Sequence, residues 1–234
     1  MNVFRLPRKL SIEINSMIAR FWWSNKKEGK GIHWKSWGKM GENKKGGRMG
    51  FRDVNMFNKA MLAKQGWMLQ HNVNSMAAKI FKEKYYKQSQ FIEAKLGYKP
   101  SFMWRSLLDA QDLIKIGMVW SVGNGRRISI WNDKWLPNSV NFQVRSPVSI
   151  LAADAKVSSL IFEDFHYWNG RLICEIFSRE DAAQIYSLPL SRYVEDDKSF
   201  WGFTKDERFS VRSAYHLGTD MEKADHGECS IRQK

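Results

Sequence analysis

The chain has 234 residues, is 43% hydrophobic and 14% aromatic, and carries a formal net charge of +14. This is too apolar for a disordered chain, and the length suits one large domain or two small ones around a sizeable core. Charges interrupt every apolar run before the ~20 residues a membrane span needs, and two cysteines cannot build a disulfide framework.

The N-terminal segment holds Arg5, Arg8 and Lys9 but no apolar run after them, unlike a secretory leader. An intracellular setting is therefore expected, with nucleus and mitochondrion both open. Leu10, Ile14, Met17, Ile18 and Phe21 recur at helical spacing and predict an amphipathic helix over 9–23. Residues 24–50 read as a Gly/Lys-rich connector with a turn at Gly46-Gly47. A second helix is expected over 54–71, with Phe57, Ala60, Met61, Trp67 and Met68 on its buried face. A third spans 75–86, with Ser75 as cap and Met76, Ile80 and Phe81 inward. Ser101 caps a fourth, which turns Trp104, Leu107, Leu108 and Ile114 inward and stops at Gly117.

The period then changes. Two β-prone runs around Gly123-Asn124-Gly125 predict a hairpin over about 119–131, because both turn residues favour positive φ. Short helices follow at 171–177 and 179–186, then a second hairpin pairing 200–204 with 208–211, and a polar, frayed tail from Gly218. The expected fold is mainly α with small β-hairpins (α+β). Its expected parts are a basic helical part over 1–145, a linker with short helices over 146–199, residues 200–217, and the tail 218–234.

Charge is the first pointer to function. Residues 1–145 hold 27 Lys+Arg and 9 Asp+Glu, against 11 and 15 in the remainder, and nine of the 11 tryptophans lie in the basic part. Cations displace counterions from phosphates while aromatic rings stack on bases, so RNA or DNA is the expected partner. The cations expected in exposed loops are Lys26, Lys27, Lys30, Lys35, Lys44, Lys45, Arg48, Arg126 and Arg127. Trp22, Trp23, Trp34 and Trp104 are suited to stacking on bases, although core packing is the commoner use of such rings.

Catalytic chemistry is not evident. Metal-dependent polymerases and nucleases need clustered carboxylates on a rigid backbone, whereas Glu163-Asp164, Glu180-Asp181 and Glu195-Asp196-Asp197 read as solvated acidic faces. Cys174, His216, His226 and Cys229 lack zinc spacing. Cys174 reads as an inert buried thiol and not as a nucleophile paired with His166. Gly123-Asn124-Gly125-Arg126-Arg127 superficially suggests a phosphate cradle, but no helix starts after it. No catalytic residue, metal site or cofactor is expected.

Several strings carry a family resemblance. They are Phe4-Arg5-Leu6-Pro7, Ile18-Ala19-Arg20-Phe21-Trp22-Trp23-Ser24, Ile32-His33-Trp34 and Lys45-Gly46-Gly47-Arg48-Met49-Gly50-Phe51-Arg52-Asp53. Then come the run from Phe57 to Trp67, Pro100-Ser101-Phe102-Met103-Trp104-Arg105-Ser106, Val122-Gly123-Asn124-Gly125 and Ile130-Trp131-Asn132-Asp133-Lys134-Trp135-Leu136-Pro137. In this order they resemble the segment after the polymerase core of plant LINE-type non-LTR retrotransposon reverse transcriptases. The segment is also similar to a plant mitochondrial open reading frame of retrotransposon origin and to plant proteins with a ribonuclease H label.

The resemblance implies that the endonuclease and the polymerase palm lie upstream of this segment. It also implies that 200–217 begins a reverse-transcriptase zinc-binding domain whose Cys/His cluster does not follow, which suggests truncation or a frame change. Glu207 stands where the family usually has a turn glycine. The expected function is thus a non-catalytic, nucleic-acid-binding fragment of such an enzyme. The alternatives are a relic open reading frame without selected activity and a domesticated nucleic-acid-binding protein.

Overall fold

The computed structural model describes residues 2–24, 51–136, 141–148, 150–162, 166–190 and 195–231, with side chains described as far as residue 224. In chain order the elements are α1 (Arg8–Trp23), α2 (Val54–His71), α3 (Met76–Tyr85), α4 (Phe102–Asp109), α5 (Gln111–Gly117) and β1 (Met118–Ser121). They continue with β2 (Ile161–Phe162), β3 (Tyr167–Trp168), α6 (Gly170–Ile176), α7 (Arg179–Ser187), β4 (Lys198–Trp201) and α8 (Val211–Ile231). The fold is mainly α with two small two-stranded antiparallel sheets. The chain divides into two compact units, Met1–Gly117 with Phe209–Lys234, and Met118–Arg208.

In the first unit α2 is central, touched by α1, α3, α4, α5 and α8. Burial therefore runs around its circumference, and Val54, Met56, Ala60, Leu62, Ala63 and Leu69 all leave solvent. Of the face expected from periodicity only Ala60 is buried, because a helix packed on several sides has no single apolar stripe. Asp53 starts α2 by accepting from the Met56 N–H at 2.8 Å. Its other carboxylate oxygen accepts from Asn15 Nδ2 of α1, and its own N–H donates to Tyr215 Oη of α8. One residue thus ties three helices together.

Small residues set the close approaches. A Cβ on Gly66 would lie 2.7 Å from Phe91 Cε1, and one on Gly218 would overlap Met56 Sδ. Gly218 is therefore a packing residue within α8, and the frayed tail expected from that point is instead a continuous helix. Trp104 is wholly buried, with Tyr85 stacked on it at 4.6 Å and Tyr86 at 5.7 Å. The expected long fourth helix breaks at Ala110 into α4 and α5.

Two expected apolar stripes face outward. In α1 the buried positions are Ser11 and Ala19, while Leu10, Met17, Ile18 and Phe21 are exposed. In α3 the buried position is Ala78, and Met76 and Ile80 are exposed. In both helices the side chains that leave solvent are the small ones and not the apolar stripe.

The second unit has short elements around Trp135, Trp201, Ile128, Ile130, Leu136, Leu160, Ile173 and Ile185. Its β1 does not pair with the run after Gly125. It pairs antiparallel with β4, from Met118↔Trp201 to Ser121↔Lys198, and the run 128–131 contributes only a bridge from Ser129 to Lys156. The second expected hairpin is also absent from its place. After β4 the Trp201 N–H reaches the Glu207 carbonyl, and Val211 already begins α8. The hairpin that forms is β2–β3, with Ile161↔Trp168 and Phe162↔Tyr167.

Candidate nucleic-acid interface

The two units divide the charge sharply. The first carries 27 Lys+Arg and 12 Asp+Glu, a net of +15, whereas the second carries 11 and 12, a net of −1. Of the cations expected to bind, Lys26, Lys27, Lys30, Lys35, Lys44, Lys45 and Arg48 lie outside the described residues, as does Trp34. Arg126 and Arg127 are described and both are exposed.

The loop that carries those two arginines cradles an anion, but the anion is internal. Asp197 Oδ1 accepts from the N–H groups of Gly123 and Gly125 at 2.8 Å each, and Oδ2 accepts from the Arg127 N–H at 2.9 Å. Gly125 has φ +69°, and a Cβ there would lie 2.5 Å from Ser158 N, so the loop closes only around glycines. Asp197 is 5% exposed. Backbone N–H groups converging in a turn form an anion-binding concavity, and here the protein fills it. Of the side chains, Arg127 lies 4.0 Å from Asp196, and Arg126 projects to solvent.

A second acidic cluster behaves alike. Asp181 is 1% exposed and its Oδ2 accepts from the Arg145 N–H, the Ser146 N–H and Ser146 Oγ at 3.1, 2.8 and 2.6 Å. The solvated face expected for these clusters is corrected at these two positions. Each buried carboxylate repays its desolvation with several donors. Cys174, expected to be buried, is exposed, with Sγ 3.5 Å from Tyr186 Oη. Among the described residues, no three His, Cys, Asp or Glu side chains gather as a metal ion would need.

The exposed cations that are described concentrate in the first unit. Lys79, Lys82, Lys84, Lys87, Lys95 and Lys99 are all exposed, with only Glu83 and Glu93 among them. Their geometry centres on the C-terminal end of α3. Lys84 Nζ stands 5.3 Å over the Tyr85 ring, and Tyr85 Oη bonds both the hydroxyl and the N–H of Ser101. The Ser101 bond holds the Tyr85 phenol below its ordinary pKa, with Lys84 helping. Just before Ser101, Lys99 Nζ lies 5.2 Å over the ring of Tyr98, which is 87% exposed. Sequence reading missed this group because it looked for Gly-rich loops, and these lysines line a helix and its exit. Counting charge along 79–99 would have found it.

The stacking candidates separate clearly. Trp104 is core and cannot reach a base. Trp23 is half-buried, and Trp22 stays about half exposed while meeting Phe51 edge-on at 4.9 Å. Phe102, at the start of α4, is 58% exposed.

Two known proteins resemble the chain along much of its length. An uncharacterized mitochondrial protein of Arabidopsis thaliana is 32% identical over 137 residues, which make up 58% of this chain and 89% of that protein. A second Arabidopsis thaliana protein, named "Putative ribonuclease H protein", is 25% identical over 225 residues, or 94% of this chain and 36% of its own length. The chain thus spans about a third of the longer relative. No family model and no solved structure matches it. The chain belongs to the plant protein family of the mitochondrial relative. Both relatives are consistent with a plant protein derived from a retrotransposon. No helix among the described residues is long and apolar enough to cross a membrane.

Proposed function

We propose that this chain is a non-catalytic, nucleic-acid-binding segment of a LINE-type reverse transcriptase, its binding carried by the basic first unit. The observation that carries the reading is the charge division, +15 on one unit against −1 on the other. The exposed lysines around Tyr98 add contacts suited to phosphates and bases. Residues 200–217 are read as the start of the zinc-binding domain of such enzymes. The mitochondrial relative supports an intracellular setting, with mitochondrion and nucleus both compatible. The ribonuclease label of the longer relative belongs to a protein of which this chain matches 36%. That Asp181 and Asp197 spend their oxygens on backbone donors supports a structural use for these acids.

A salt titration of the purified chain against single-stranded RNA and DNA tests the reading. Log K is expected to fall linearly with log salt, at about −0.7 per phosphate contacted. Absence of binding at low salt overturns the binding function. Magnesium-dependent cleavage or primer extension by the pure chain overturns the non-catalytic reading.

A further inference from the structure

The segment before α1 is pinned at consecutive residues. Asn58, buried in α2, accepts from the Leu6 N–H at 2.8 Å and donates to the Phe4 carbonyl at 3.0 Å. Between them the Arg5 N–H donates to Ser106 Oγ of α4 at 2.9 Å. This anchoring forms one wall of an open cleft of about 640 Å³, within the range of roughly 300–1,000 Å³ usual for small-ligand sites.

Three arginines line the cleft, Arg5, Arg8 and Arg105, together with the acids Asp109 and Glu222. Asp109 is taken up by Arg5 at 3.0 Å. Arg8 and Arg105 are exposed, and among the described residues neither is engaged by a carboxylate. At the rim Phe102 packs against Phe4 at 5.4 Å, and both rings stay about half exposed. Cations beside a half-exposed ring suit a phosphate and its base at once. The Arg5–Asp109 pair is less attractive to an anion, which leaves Arg8 and Arg105 as the arginines of the lining suited to hold one.

We propose that this cleft receives one nucleotide of a single-stranded nucleic acid, its phosphate held by Arg8 and Arg105 and its base stacked on Phe102. The inference rests on the nucleic-acid-binding reading above and gives it a site. A duplex does not fit the role, since its bases are already stacked and turned inward; only an unpaired base offers its face to Phe102.

The experiment uses the full chain and a labelled short oligothymidylate, with a duplex of equal length in parallel, followed by fluorescence anisotropy across a salt series. The variants are R8A/R105A and F102A, all at exposed positions, with circular dichroism to verify the fold. R8A/R105A is expected to flatten the log–log salt slope by about 0.7, the share of the one phosphate the two arginines hold on a single strand. F102A is expected to weaken single-strand binding about tenfold and leave the duplex unchanged. If the parent chain binds the single strand but both variants match it in affinity and slope, the cleft assignment is overturned and the general binding reading stands. Equal weakening of duplex and single strand by F102A overturns the stacked-base assignment. If the parent chain binds neither probe at low salt, the binding reading itself falls and the cleft assignment with it.

Discussion

The two units use acidic residues in opposite ways. In the first, Asp53 works at a helix start, and most of the described cations are exposed. In the second, Asp181 and Asp197 go inside and replace the regular hydrogen bonding that its short elements cannot supply. Net charge per unit therefore says less than which charges remain accessible. The near-neutral second unit has two of its acids sealed among backbone donors, and its surface is less acidic than its composition suggests.

The largest expected effect breaks this comparison at its strongest point. Asp197→Ala strands the N–H groups of Gly123, Gly125 and Arg127 in a buried loop. At about 1–3 kcal/mol for each buried group left unpaired, and with partial relaxation, a loss of about 3 kcal/mol is expected. Chemical denaturation followed by tryptophan fluorescence measures it. A loss below about 1 kcal/mol would show that water replaces the carboxylate and that the loop does not depend on it. Nucleic-acid binding by the first unit is expected to survive the substitution, because none of the proposed contacts uses Asp197.

Next in size is a bond in the first unit. Tyr215 Oη accepts from the Asp53 N–H at 2.9 Å, and burial pushes the phenol above its ordinary value of 10.0. Burial raises Tyr86 in the same direction. In the folded state both phenols hold their protons to higher pH than in the unfolded chain. Their contribution is therefore complete below pH 10 and lost as pH rises from there through the folded-state values. Tyr215→Phe is expected to cost about 1 kcal/mol at neutral pH, by orphaning the Asp53 N–H, and to make the alkaline loss shallower. Thermal melts from pH 8 to 11 read both effects (a range set by the reference phenol pKa of about 10). An unchanged alkaline slope would place the titration elsewhere.

What could be read from the sequence was local. Ser75, Ser101 and the periodicity of 9–23 announced their helices, because caps and helical spacing act within a few residues. The buried faces were legible only in part: Trp104, Leu107 and Ile114 are buried as expected, but an apolar stripe does not say whether a neighbour will cover it. Met76, Ile80 and Phe21 are the instances. The partner of β1 was also hidden. Asn-Gly does mark a turn at 123–125, but Asp197 captures that turn, and β4 lies next to Asp197 in the chain. Of the candidate interface, Arg126 and Arg127 were visible as exposed cations. The cleft was not, because it joins Arg5 to Arg105 across most of the first unit, through contacts such as Arg5 to Ser106 that no local pattern signals.

The smallest expected effect is a gain. Glu207 holds φ +58°, in the left-handed region where a side chain other than glycine is disfavoured. The position is fixed by its backbone: its carbonyl accepts from the Trp201 N–H at 3.0 Å, and its N–H donates to the Thr204 carbonyl at 3.3 Å. Its side chain is exposed, so removing it leaves no cavity. Glu207→Gly relieves the left-handed strain of about 1–2 kcal/mol and returns part of it as extra freedom in the unfolded chain. A net stabilisation of about 0.5–1 kcal/mol is expected, read as a rise of a few degrees in the melting of the second unit. A destabilised variant would mean that the turn depends on the glutamate itself.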